Sequence, residues 1–135
     1  MTIETGMLNW AEQAGVEVQT ERGSILFPVN GESGSWLAKV NAFEEDNMLF
    51  ILTAYPFHVA EKGRANAMAV LADITSQLKM GAFYMDLADG QINYRLGQQI
   101  PDGEERQAWI ERFILVAMNV TDMYYRKIMA LAAVE

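Results

Sequence analysis

A chain of 135 residues, 51% hydrophobic and 21% charged, is sized and composed for one globular domain that buries about two-thirds of its unfolded surface without staples. It has no cysteine, which excludes disulfides, thiolate nucleophiles and cysteine-based metal sites. A net charge of −8, with 10 scattered lysines and arginines, argues against nucleic acid as a ligand. The opening Met1-Thr2-Ile3-Glu4 lacks the basic and apolar run of a secretory leader. The longest apolar run, Met48 to Tyr55, falls far short of the roughly 20 residues a membrane helix needs. A cytoplasmic protein without a membrane partner is expected.

Met7, Trp10, Ala11 and Ala14 make one helical stripe over residues 3–14, and Gly15 is a natural stop. The period then changes to two. Val16 and Val18, then Ile25, Phe27 and Val29, alternate around the turn Glu21-Arg22-Gly23. Pro28 cannot donate to a ladder, which places that strand at an edge or a bulge. After the loop Gly31–Gly34, residues Trp36, Ala38, Val40 and Ala42 share one face, with Lys39 and Asn41 on the other. Glu44-Glu45-Asp46-Asn47 turns the chain into the strand Met48–Tyr55, which is apolar on both faces. One face of an antiparallel sheet is commonly wet, so something is expected to cover its second side. Pro56 is expected to end that strand.

Residues 62–79 return to helical spacing, with Met68, Leu71, Thr75 and Leu78 on one face. Ala82–Ala88 and Gln91–Leu96 then flank Asp89-Gly90, the dipeptide favoured in a two-residue type I′ turn. That turn pairs Phe83 with Leu96, Met85 with Tyr94 and Leu87 with Ile92 on the core face. It leaves Tyr84, Asp86, Asn93 and Arg95 on the other, with Asp86 diagonal to Arg95. A last helix follows Pro101-Asp102-Gly103 and runs to about Leu131. Trp109, Phe113, Val116, Val120, Tyr124 and Ile128 form one apolar stripe; Ile110, Ile114, Met118, Tyr125 and Met129 form a second. A helix packed on one sheet needs a single stripe. Two stripes imply a clamp between layers or a subunit interface, and the second stripe is the candidate interface. The element order α-β-β-β-β-α-β-β-α defines an α+β fold with an antiparallel sheet.

Catalytic chemistry finds little to build on. His58 is the single histidine, so a His/Cys metal site cannot be assembled, and a structural or surface role fits it better. Glu44, Glu45 and Asp46 lie in a turn, without the contrasting environments that separate the pKa values of an acid–base pair. Gly31–Gly34 lacks the Lys-Ser/Thr of a phosphate-binding loop. No catalytic residue, cofactor or metal is expected. Nine methionines suit a deformable apolar surface; Met68 and Met85 are expected to point inward, whereas Met118 and Met129 lie where a partner could reach them.

The run Gly81-Ala82-Phe83-Tyr84-Met85-Asp86-Leu87-Ala88-Asp89-Gly90-Gln91-Ile92-Asn93-Tyr94-Arg95 resembles the core motif of the YbjN-like family, labelled bacterial sensory transduction regulators. Arg64 matches the family's Arg at the start of the second helix, and Asp122 with Tyr125 echoes its C-terminal Asp-x-x-Tyr. Thr75 stands where the family carries Asn, and the Pro usual near that C-terminal pair is absent. The resemblance implies one YbjN-like domain over 1–135, a fold similar to type III secretion chaperones, commonly dimeric, and no agreed catalytic residues. The resulting expectation is a non-enzymatic interaction module, a chaperone-like or regulatory adaptor acting as a homodimer on another protein. The alternative is a small-ligand or enzymatic domain, with His58 or the polar cluster Tyr84, Asp86 and Arg95 in a pocket between sheet and helices.

Overall fold

The structure, a computed structural model, describes residues 1–132. Helix α1 (Ile3–Ala14) starts where the Thr2 side chain accepts from the Thr5 N–H, and it ends on Gly15 in the left-handed region (φ 68°). The Glu44 carboxylate, reaching across from the turn at residues 44–47, accepts the Ile3 and Glu4 N–H groups at 2.9 Å each. An anion at a helix N-terminus meets both the unpaired amides and the positive end of the dipole.

Strands β1 (Gln19–Glu21), β2 (Ser24–Asn30), β3 (Ser35–Phe43) and β4 (Met48–His58) form a meander. Helix α2 (Arg64–Gln77), strands β5 (Ala82–Met85) and β6 (Gln91–Gln99), and helices α3 (Arg106–Met123) and α4 (Tyr125–Ala132) complete the chain. All six strands join one antiparallel sheet in the order β1-β2-β3-β4-β6-β5. The expected α+β class and element order hold, with the last helix divided in two.

Pro28 pairs with Leu37 of β3, beyond the three residues of β1, so its missing N–H faces an open edge. Pro56 does not end β4, a correction: pairing with β3 stops at Ala54, and the strand continues through a register irregularity to His58, opposite Gln91. The hairpin register is also corrected. Phe83 faces Tyr94 and Met85 faces Ile92, because the loop has four residues rather than two. The Gly90 N–H bonds the Asp86 carbonyl at 2.7 Å, and Asp86 Oδ1 accepts from the Ala88 N–H at 2.9 Å. A slip of two residues keeps every strand side chain on its predicted face, but it leaves Leu87 out in the solvent.

Helices α1, α3 and α4 pack on one face of the sheet, and α2 flanks β5. The core between them holds Ile25, Phe27, Val40, Ile51, Tyr55, Ile92, Ile110 and Phe113. The break between α3 and α4 falls at Tyr124, three residues after Thr121. The Thr121 carbonyl accepts from the Tyr55 hydroxyl at 2.6 Å, and its own hydroxyl donates back to the Ala117 carbonyl at 2.7 Å. Both contacts perturb the helical ladder where the axis changes.

Candidate functional site

The opposite face of the sheet is bare. Register sets its side chains in rows across the strands: Lys39 faces Leu52, and Leu52 faces Arg95; Asn41 faces Phe50, and Phe50 faces Gly97; Leu37 faces Ala54. Tyr84 of β5 stands opposite Asn93, itself opposite Ala54. Leu37 is 52% exposed, Phe43 49%, Tyr84 39% and Leu52 37%. Burying such side chains fully is worth about 1.5–3 kcal/mol each, so a surface laid over them would gain several kcal/mol.

Local contacts hold this face in shape. Phe43 meets Phe50 edge-on, ring centroids 5.4 Å apart. The Arg95 guanidinium lies 5.2 Å from the Phe50 ring centre, a cation–π distance. The Phe50 ring lies over Gly97, where a Cβ would overlap it. Asn41, Phe43, Phe50, Leu52, Tyr84 and Arg95 thereby line a concavity of about 320 Å³. Desolvation holds the Tyr84 hydroxyl above its ordinary value, against the opposing pull of Arg95.

The predicted polar cluster assembles in part. Tyr84 and Arg95 share the concavity, but the Asp86 carboxylate is occupied by the Ala88 N–H within the turn. Among the described residues Asp86 makes no ion pair with Arg95. His58 sits apart, with Nδ1 3.2 Å from the Asp89 carbonyl oxygen. The described residues contain no group of three or more His, Cys, Asp or Glu that could hold a metal.

The predicted interface stripe is largely internal, a further correction. Ile110 and Ile114 have no exposed surface, and Tyr125 keeps 8%. The reason lies in α1: Ile110 occupies the space a Cβ on Gly6 would take, and Gln107 Nε2 donates to the Gly6 carbonyl at 3.0 Å. Tyr125 wedges against Trp36 and Phe57, at 5.6 Å from each ring. Met118 is half-buried, and Met129, 43% exposed, stays reachable. Met68, expected inside, is 48% exposed, because α2 turns Ala67, Leu71 and Ile74 inward instead. Sequence reasoning passed over Leu37 and Phe43; both have the parity of Lys39 and Asn41, the signal that would have placed them on this face.

The motif residues build the fold. Gly81 (φ 80°) lies where a Cβ would strike the Tyr94 ring, whose hydroxyl donates to the Met80 carbonyl at 3.0 Å. Gly90 (φ 79°) leaves no room for a Cβ beside the Val59 carbonyl. Arg64 Nε donates to that carbonyl at 3.0 Å, and Arg64 also bonds the Leu87 carbonyl. Thr75 Oγ1 accepts from the Phe83 N–H at 3.0 Å, tying α2 to β5. Asp122 accepts from the Glu32 and Ser33 N–H groups, fixing the β2–β3 loop to α3.

Helices on one side and a bare antiparallel sheet on the other make this an α+β fold of the type III secretion chaperone kind. A chain of the HopA1–SchA chaperone–effector complex superimposes with a TM-score of 0.55 at 7% identity, covering 89% of this chain and 92% of that one. The chain belongs to the YbjN family, described as "Putative bacterial sensory transduction regulator", which it matches over residues 6–130. YbjN from E. coli, described as "a putative transcription regulator", superimposes with a TM-score of 0.57 at 15% identity, covering 88% of this chain and 90% of that one. No curated protein matches.

Proposed function

We propose that the chain is a non-enzymatic protein-interaction module of the cytoplasm, a chaperone-like or regulatory adaptor that works as a homodimer and receives a partner protein on the open face of its sheet. The observation that carries this reading is the uncovered apolar surface around Leu37, Phe43, Leu52 and Tyr84, on a fold shared with a chain of a chaperone–effector complex. The non-enzymatic part is supported by the use of the motif residues: Gly81, Gly90, Arg64, Thr75 and Asp122 all hold backbone. The cysteine-free composition suits a reducing compartment. The described residues include no helix long and apolar enough to cross a membrane. For self-association the outward side of the last helices is the available surface: Leu115, Met123 and Met129 are 55%, 73% and 43% exposed, with Met118 on their flank.

The docking role is tested by affinity capture from the source cell. A specific protein is expected with the wild-type chain and lost with Leu52→Glu, whose thermal melt stays unchanged because the site is exposed. Equal capture by both chains would overturn the proposal.

A further inference from the structure

We infer that the open face takes an amphipathic helical segment rich in carboxylates, with Lys39 and Arg95 as its two anion contacts. The inference rests on the docking role proposed above and adds the chemistry of the partner.

The chain is acidic, with 18 Asp and Glu against 10 Lys and Arg, yet the centre of this face is cationic. Lys39 and Arg95 stand on either side of Leu52 in direct register. The carboxylates on this side keep to its rim. Glu17 precedes β1 and Glu21 ends it; Glu21 pairs with Lys39 at 3.7 Å through a side chain that is 73% exposed, a solvent-screened pair that an incoming carboxylate can displace. Asp86 is engaged by its own turn. Among the described residues no hydrogen bond or ion pair reaches the Arg95 guanidinium, whose one specific contact is the Phe50 ring. A cation over a ring, flanked by exposed leucine and tyrosine, offers a seat for a carboxylate.

Spacing selects the conformation. Lys39 and Arg95 are two strands apart, roughly 10 Å between backbones. Residues i and i+7 of a helix span about 10.5 Å on one side, with i+3 and i+4 between them. Same-side residues of an extended segment fall at about 6.8 and 13.6 Å. A helix with acids at i and i+7 and an apolar residue between them therefore sets its carboxylates over the two cations and its apolar side chain over Leu52. A second copy of this face would bring lysine and arginine against lysine and arginine, a like-charge match that disfavours self-stacking.

The test uses the intact protein and three fluorescent synthetic helices with one Leu/Ala framework. They carry Glu, Gln or Lys at i and i+7, and binding is read by anisotropy. At low salt the Glu peptide is expected to bind at least tenfold tighter than the Gln peptide, an advantage that shrinks at high salt. The Lys39→Glu/Arg95→Glu double variant, both sites on the surface, should reverse the preference to the Lys peptide with an unchanged melt. Equal binding of Glu and Gln peptides, or no peptide binding while Leu52→Glu still abolishes capture from cells, overturns the charge inference and leaves the docking role standing. No peptide binding together with capture indifferent to Leu52→Glu overturns both. Conversion of a dimer to a monomer by Leu52→Glu would assign the face to a second copy and also overturn the inference.

Discussion

Two buried tyrosines illustrate how single residues fix this core. Tyr55 and Tyr94 have no exposed surface, and their hydroxyls donate to the Thr121 and Met80 carbonyls. Burial pushes the Tyr94 hydroxyl up to about 12 and raises that of Tyr55 as well. In the unfolded chain both ionise near pH 10. Above that pH the unfolded state therefore binds fewer protons than the folded one, and stability falls as pH rises. The urea midpoint is expected to hold up to about pH 9 and then drop, by up to about 1.4 kcal/mol per pH unit for each tyrosine once both unfolded hydroxyls are ionised. Tyr94→Phe should flatten that drop. A midpoint unchanged between pH 9 and pH 11 would contradict the assignment. None of this was legible in the alternation of Tyr94 with its neighbours, which gives a side chain's face but not its acceptor.

Among the elements, α1 was legible because its signals are local: one stripe over residues 3–14 and a Gly stop; the Thr2 cap that starts it went unread. The strands were legible as faces, because alternation survives a slip of two residues. The β5–β6 turn was misread for the same reason. Asp89-Gly90 satisfies the rule for a two-residue turn, but side-chain bonds from Asp86 and Asp89 to the Ala88 and Gln91 N–H groups stabilise a longer loop. Arg106 went unnoticed, since one arginine at a helix start has no pattern. It is 4% exposed, and its guanidinium donates to the Pro101 and Met1 carbonyls at 3.0 Å each. It also bonds Asn47 Oδ1 and Asp102 Oδ1 at 2.6 Å each. One side chain thus clamps the start of α1, the β3–β4 turn and α3. Arg106→Ala removes these four part-buried hydrogen bonds and is expected to cost roughly 2–4 kcal/mol, read as a lower urea midpoint with an unchanged m-value. A loss under 1 kcal/mol would show that water replaces the clamp.

For the whole molecule the central fact is asymmetry: one face of the sheet lies beneath α1, α3 and α4, and the other carries Leu37, Leu52 and Tyr84 in the open. The two exposed apolar surfaces, the sheet face and the outward side of α3, lie on opposite sides of the sheet, so a dimer on the helices would leave the sheet face available. Light scattering at micromolar concentration is expected to give twice the 15.2 kDa chain mass, and Leu115→Glu combined with Met129→Glu should return a monomer. A monomer for the unaltered chain at every concentration would remove the homodimer from the proposal.

The sequence by itself determined the element order, the inward faces of β2, β3, β5 and β6 and the surplus of apolar side chains on residues 48–55, because these follow from periodicity within one segment; the first strand it placed at Val16 and Val18, whereas β1 is Gln19–Glu21. Only the tertiary structure decided what that surplus meets. The second stripe of the last helix, with Ile110, Ile114 and Tyr125, turns into the core against α1 and the sheet, whereas Leu52 and its neighbours receive no covering layer. A segment's pattern states how much apolar surface it must bury. Which surface arrives to bury it depends on how distant segments pack, and no single stretch of chain encodes that.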